Sequence, residues 1–558
     1  MQGSQPTTKR GRYLARWAAL KNERSSWITH WEEISDNLMP RQGRFVTSDR
    51  NKGDKKHNTI YDSTGSKALN TLASGLMAGM TSPARPWFRL AVTDSKLMQS
   101  SAVRLWLDDV GVLMREVFAR SNFYRSMHSM YKELGGFGTA ACIILPDFDN
   151  IIHCHPLTVG EYAIATNSKG QGDTLYREFD MTVAQVVDEF GIENVSEAVK
   201  NAFENVRLDH WITVLHIIEP RKDRDLKKRD AKNMAFKSCY MELSSPDDDK
   251  MLRESGYKRF PAICPRWDVT GGDIYGDSPG MEALGDVMAL QHEQLRKAEC
   301  IDYQTKPPLQ IPTALRGGEA DLLPGGQSYY DSNAPSGGIR SAFEVNLNLQ
   351  HLLMDIQDVR DRIRQAFYVD LFMMIANDQR SNITAREIAE RHEEKLLMLG
   401  PVLERLHNEM LAPAVDLTFE RLAESGVLPP PPPELQGMEV NVEFVSMLAQ
   451  AQRAVATGSI DRLLGTVGGL AQLKPDVLDK INGDEIVDAY ADMLGIDPDL
   501  IASDEQVMQT RAEKAKAMQA QQMAAMAPQM TDMAKTASET QTEGGNLLSD
   551  LTRQFTQL

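Results

Sequence analysis

Apolar residues fall at helical spacing from the start of the chain: Leu14, Trp17 and Leu20, then Trp27, Trp31, Ile34 and Leu38. That period predicts a helix over Tyr13 to Leu38. A basic, glycine-containing loop follows (RQGRFVTSDRNKGDKKHN), then a second helix from about Asp62 to Met80. Gly75 and Gly79 would let another element approach that helix closely, and the two prolines of TSPARPW cannot continue it. Ser101 to Leu134 again reads as helix, closed by Gly135-Gly136. Alternation then takes over. TAACIILP, IIHCHPL, EYAIATN and TLYREFD read as short strands, followed by a helix from Thr182 to Phe190 and the strands WITVLHIIEP and FKSCYMEL. A first, mixed region ends near Trp267.

The pattern changes beyond that point. Ser278 is placed to cap a helix whose first position is Pro279, with Leu284, Met288, Leu295 and Ala298 on one side and Pro307-Pro308 as the stop. A Gly- and Pro-rich segment with strand-like pieces, PPLQIP and GGQSYY, runs to about Phe343. A second long helix spans about Asn346 to Phe372. Leu349, Leu352, Ile356, Val359, Ile363 and Phe367 recur every three or four residues, while Asp355, Asp358, Asp361 and Gln365 lie largely off the stripe. Two amphipathic helices therefore flank a small β-containing insertion. A polar break follows, Asn377, Asp378, Gln379, Arg380, Ser381 and Asn382. Thr384 and Glu387 then form a capping box with Ile383 and Ile388 as its hydrophobic staple. The helix so opened runs to about Ser425, bent at Pro401 and Pro413. Gly426 and the prolines to Pro433 end it, and Phe444 to Leu494 reads as a small helical region. After Asp504 the chain is rich in Ala, Gln, Met and Lys, with high helix propensity and a weak apolar stripe. The fold class is α+β, mainly helical.

Composition narrows the chemistry. The chain has 558 residues, 42% hydrophobic and 25% charged, which suits two to four packed regions. Its most apolar stretch, Leu69 to Met80, is interrupted by Ser74, Gly75 and Gly79, too short for a membrane span. The N-terminus is polar and basic, without the apolar core of a signal peptide, so synthesis in a reducing cytoplasm is expected. Five scattered cysteines with no C-x-x-C pair argue against a disulfide framework or a zinc site. A net charge of -17 excludes a typical tight binder of duplex DNA, which needs Lys and Arg against phosphates, but not a conduit around it.

Site motifs are few. His153 and His155 share one strand face, but zinc needs three or four protein ligands and no carboxylate or second cysteine lies near them in sequence; ordinary strand histidines are the favoured reading. Gly65-Ser66-Lys67 resembles the end of a phosphate loop, yet Ile60 stands where the first glycine is required and Ala68 replaces the final hydroxyl. No catalytic constellation emerges, and no cofactor is implied. The basic residues of the early loop, Arg41, Arg44, Arg50, Lys52, Lys55 and Lys56, either contact DNA, scaffold or capsid or form a solvated loop, and the solvated loop is the favoured reading.

Four stretches in register do carry a resemblance. They are Asp62-Ser63-Thr64-Gly65 leading to LASGLMAGMTSPARPWFRL; YREFDMTVAQVVDEFG with VLHIIEPR; YGDSPGMEALGDVMAL leading to KPPLQIP and GGQSYYD; and ITAREIAERHEEKLLMLGPVLERLHNEMLAPAVD. Over roughly residues 10 to 500 the chain resembles the portal, or head-to-tail connector, proteins of short-tailed phages. The resemblance implies a ring of twelve copies around an axial channel, set at a unique vertex of the virion. It implies a wing over 1–279, stem helices at 280–305 and 346–376, a clip at 306–345 and a tunnel loop at 377–383. The long bent helix and proline linker, 384–433, would return to the wing, 434–503 would form a helical crown, and 504–558 a helical barrel or a disordered tail.

Implied partners are double-stranded DNA in the channel, the terminase large subunit and then tail adaptors at the clip, and the major capsid and scaffold proteins, with no membrane. Pro307, Pro308, Tyr329 and Tyr330 are the expected clip contacts. The stem stripe of Leu349, Ile356 and Ile363 is either a seam between subunits or packing within one, and Asp355, Asp358 and Asp361 face the lumen or plain solvent. Arg380 either touches passing phosphates or complements the end of the preceding helix. The competing reading is an oligomeric helical scaffold or adaptor that encloses no DNA; a closed ring with a hole wide enough for duplex separates the two.

Overall fold

A computed structural model describes residues 8–45, 58–92, 94, 97, 100–228, 230–245, 250–305, 309–310, 340–341, 349–376, 399–435, 440–444, 463–468, 483, 486–487, 507–520, 541–542 and 545–546. The chain divides into two units, Met1–Ala456 and Thr457–Leu558.

In the first unit, α1 (Lys9–Asn37) is capped by the Thr8 hydroxyl, and α2 (Thr64–Met80) buries Leu69, Leu72, Ala73 and Leu76. The open face expected at Gly75 is used: a Cβ there would run into the ring of Phe372. β1 (Phe88–Val92) comes next. The single helix expected over Ser101 to Leu134 is two, α3 (Ser101–Arg120) and α4 (Phe123–Phe137). The break is held by Asn122, whose side-chain nitrogen donates to the Cys154 carbonyl at 2.8 Å and whose oxygen accepts from the Cys154 amide at 2.8 Å. Gly135 and Gly136 do not close α4. They lie inside it, where their missing side chains admit Leu69, Leu72 and Met39. The helix ends at Gly138, at φ +76°, against the Gly276 carbonyl, a position only glycine fills without strain.

The strands follow the alternation. β2 (Ala141–Asp147), β3 (Ile151–Leu157) and the short β9 (Ala262–Ile263) form an antiparallel sheet in the order β3-β2-β9. A five-stranded antiparallel meander is built from β4 (Tyr162–Thr166), β5 (Gly172–Thr182), β6 (Trp211–Pro220), β7 (Phe236–Glu242) and β8 (Arg253–Tyr257). Two short helices, α5 (Val183–Phe190, with a Thr182–Gln185 capping box) and α6 (Glu197–Glu204), close over one face around Val186, Val199 and Val214. Trp17 of α1 stacks on Tyr176 of the other face.

The α7 helix (Pro279–Thr305) starts where Ser278 accepts from the Met281 amide at 3.1 Å and itself donates to the Gly136 carbonyl at 2.8 Å. The expected second long helix is broken: α8 (Leu349–Ala366) and α9 (Val369–Ala376) meet at Tyr368, whose φ of +54° ends the first run. Near Pro413 the bend takes the form of a π-helical turn, His407–Leu411, leading into α10 (Ala412–Ser425). The Ala412 amide reaches back to the His407 carbonyl, and the widened turn accommodates a proline that lacks its own donor and crowds the preceding turn. Gly426, at φ +72°, caps the end as expected. Beyond the prolines the chain returns first as a strand, ahead of the helical region expected from Phe444. β10 (Val440–Phe444) pairs antiparallel with β1, Phe88 opposite Phe444, and its Val-x-Val-x-Phe alternation is the physical reason.

One core joins α2, α4, the three-stranded sheet, the first half of α7, and Ile356, Val359, Ile363 and Phe367. In the second unit, residues 507–520 are helical and almost wholly exposed.

Candidate functional site: the α7–α8 hairpin

The two helices run antiparallel and differ along their length. All buried residues of α7 lie between Pro279 and Gln291. Leu284, Val287 and Leu290 face the core, whereas Met288, expected on that stripe, is 45% exposed. Leu295 is half-buried and Ala298 exposed, so the apolar stripe turns away once the core ends. In α8 the order is reversed: Leu353 and Met354 are exposed, and Ile356, Val359 and Ile363 are buried within the chain's own core. Leu352 is half-buried, and the side chain of Leu349 lies outside the described residues.

At the inner end a carboxylate ties three elements together. Asp62 accepts from the Thr64 amide at 2.8 Å and hydroxyl at 2.6 Å, and so braces the first turn of α2. Its other oxygen accepts from Arg360 of α8 at 2.7 and 3.0 Å and from Gln294 of α7 at 3.1 Å. Gln291 completes the joint, its side-chain oxygen accepting from the Tyr61 and Asp62 amides at 2.7 and 2.8 Å while its nitrogen donates to the Asp62 carbonyl. Burial opposes ionisation of Asp62, but the bonds from Thr64 and Arg360 outweigh it and hold the carboxyl below its ordinary value. Sequence reasoning missed this joint, since only Asp62 and Thr64 are neighbours in the chain.

Of the acidic residues expected on the outer face of α8, Asp355 and Asp358 are exposed and Asp361 is half-buried. Cations accompany them. Arg362 pairs with Asp358 at 3.5 Å and with Asp286 of α7 at 3.2 Å, and Arg364 pairs with Asp361 at 2.9 Å. Glu293 of α7 lies against Asp355, and burial followed by the Asp355 charge raises its carboxyl above the usual range. Towards the outer end Ile301, Tyr303, Leu353 and Met354 stand exposed.

The expected loop residues Asn377, Asp378, Gln379, Arg380, Ser381 and Asn382, and the expected clip contacts Pro307, Pro308, Tyr329 and Tyr330, lie outside the described residues, as does the capping box at Thr384 and Glu387. Of the insertion between the helices, Leu309–Gln310 pairs antiparallel with Arg340–Ser341. The rings of His153 and His155 lie 4.7 Å apart on β3. Among the described residues, no three His, Cys, Asp or Glu side chains are grouped to hold a metal ion. Arg44 is not a solvated loop residue: it is half-buried and bridges Glu161 at 3.1 Å and Asp180 at 2.7 Å.

The family model described as "Bacteriophage head to tail connecting protein" matches residues 10–501, the span that contains this hairpin and its joint. The chain belongs to the phage portal, or head-to-tail connecting, family. It is 57% identical over 548 residues to the probable portal protein of Bordetella phage BPP-1, covering 98% of this chain and 99% of that one. It is 46% identical over 543 residues to the portal protein of Salmonella phage epsilon15, covering 97% and 98%. Among solved structures, the neck of an empty gene transfer agent particle aligns over 83% of this chain and 98% of that one at 13% identity and a TM-score of 0.35, too low to carry an argument about the fold. As a portal-family member the chain is a structural, non-enzymatic component of the virion's head–tail connector. Membership implies an oligomeric ring at the head–tail junction.

Proposed function

We propose that twelve copies close into a ring around an axial channel through which double-stranded DNA enters during packaging and leaves during ejection. The observation that carries this reading is 57% identity over nearly the full length to a relative named as a probable portal protein. On this reading residues 1–279 form the wing, 280–305 and 346–376 the stem, 306–345 the clip, 377–383 the tunnel loop, 384–433 a return to the wing, 434–503 the crown and 504–558 its extension or tail. The clip, with Pro307, Pro308, Tyr329 and Tyr330, docks the terminase large subunit and then tail adaptors. The ring's outer surface meets capsid and scaffold proteins.

The hairpin geometry supports a division of labour within the stem. Ile356 and Ile363 pack within the subunit, while exposed Ile301, Leu353 and Met354 offer apolar surface to a neighbouring copy. Asp355, Asp358 and Asp361 set the charge of the lumen or of the seam, with Asp358 and Asp361 tempered by Arg362 and Arg364. A lumen that neither attracts nor grips phosphate lets duplex slide, since at physiological salt bare charges act only within about 8 Å. The test is negative-stain electron microscopy of the purified chain, mixed with scaffold protein when dilute, with end-on views classified. Twelvefold rings with an open centre support the reading; well-formed particles without a channel refute it and favour a scaffold or adaptor.

A further inference from the structure

A cavity of about 460 Å³ opens between the segment after α1, helix α4 and the end of β3. Its polar lining is weighted towards acceptors. Glu133 of α4 is only 4% exposed, and its carboxylate accepts from the Thr158 hydroxyl at 2.8 Å and the Val159 amide at 3.3 Å. Glu161 and Asp180 also line it, joined by Arg44, whose two terminal nitrogens are spent on them. The Gln42 side-chain oxygen is buried with no donor. The three carboxyl groups share the lining with Arg41 and Arg44, and Lys132 acts on the Glu133 charge from beside it. Met130, Leu157 and the ring of Trp211, itself 43% exposed, supply an apolar wall.

We propose that this cavity binds an alkylammonium or guanidinium group, held by Glu133 and the Gln42 oxygen with Trp211 as a cation–π wall. The chemistry has two sources: a Lys or Arg side chain from a second copy, or a small free amine. The site itself does not depend on the ring reading; only the first source does.

Glu133 makes binding sensitive to pH. Burial pushes its carboxyl up to about 8, and Glu161 adds to the rise, against the opposing pull of Thr158, Val159 and Lys132. Tyr162 of β4 also faces it, its phenol pushed up first by burial and then by the Glu133 charge. In the empty cavity Glu133 therefore carries a proton below about pH 8. An arriving cation displaces that proton to solvent, so affinity rises with pH and levels off above the same value.

The experiment is calorimetric titration of methylguanidinium, charged throughout the range, into the full-length chain from acid to alkaline pH. Two buffers of different ionisation heat are used. The expected result is one saturable site per chain, with proton release below about pH 8. Glu133→Gln, if folded by circular dichroism, weakens binding about tenfold or more and abolishes the pH dependence. Trp211→Ala, at an exposed strand end, weakens binding and keeps that dependence, which serves the test even where the Glu133 variant does not fold. Rings that exclude methylguanidinium while free chains bind it identify the ligand as a neighbour's side chain; rings that bind it identify a free amine. No saturable binding to free chains, binding without proton release, or binding unchanged by Trp211→Ala overturns the proposal.

Discussion

The inner half of the α7–α8 hairpin and its outer half are made from the same two helices but satisfy themselves differently. On the inner half Leu284, Val287, Ile356 and Ile363 are buried in the subunit's own core, and Asp62 fixes the helices to α2. On the outer half Ile301, Tyr303, Leu353 and Met354 stay exposed, and the helices hold mainly one another. Apolar surface left in water on one element is surface that a partner can cover. The difference teaches that amphipathic periodicity alone does not tell a core stripe from an interface; where along the helix the rest of the core stops decides it.

Substitutions can break this contrast, beginning at the inner end. Ile363→Ala leaves a cavity in a fully buried site and is expected to cost about 2–5 kcal/mol in urea unfolding of the free chain. An unchanged midpoint would mean that Ile363 is not core. Gly75→Val forces a side chain into the Phe372 ring and should lower the melting temperature by the equivalent of about 1–3 kcal/mol. Pairing it with Phe372→Ala should recover part of the loss. Asp62→Ala orphans the Thr64 amide and Arg360; about 1–3 kcal/mol is expected, the upper end moderated because Arg360 is partly exposed. A double-mutant cycle with Arg360→Met reads the coupling.

At the outer end the double change Ile301→Ser with Leu353→Ser should shift free-chain stability by no more than about 0.5 kcal/mol yet reduce the yield of rings by sedimentation. The smallest effect is at Glu293. Its carboxyl is raised in the folded chain, so the native state holds a proton more readily than the unfolded one. Its contribution to stability therefore falls as pH rises from the ordinary Glu value through the raised one. Glu293→Gln should raise the melting temperature slightly at pH 7 and not at acid pH, where both forms are neutral; an equal shift at both would point to packing instead.

Local signals were legible where local chemistry decides the outcome. Ser278 and Pro279 marked the start of α7, the helix expected from Thr182 to Phe190 matched α5, and the alternation of IIHCHPL and WITVLHIIEP matched β3 and β6. Elements settled by distant partners were not. The Val440–Phe444 strand went unread, and the helical region was begun at Phe444, because its partner, Phe88–Val92, lies some 350 residues earlier. The break at Asn122 depends on hydrogen bonds to Cys154, and Met288 fits a helical stripe that the core does not extend far enough to cover. The Asp62 joint was visible only as one quarter of the family resemblance, because Gln291, Gln294 and Arg360 lie 229 to 298 residues away.

The most direct measurement is hydrogen exchange on the free chain and on assembled rings, comparing residues 295–305 and 349–355 with 356–367. The account predicts that 356–367 is protected in both states, while 295–305 and 349–355 gain protection only on assembly. Outer-half exchange that is the same in both states would contradict the claim that this surface is where copies meet.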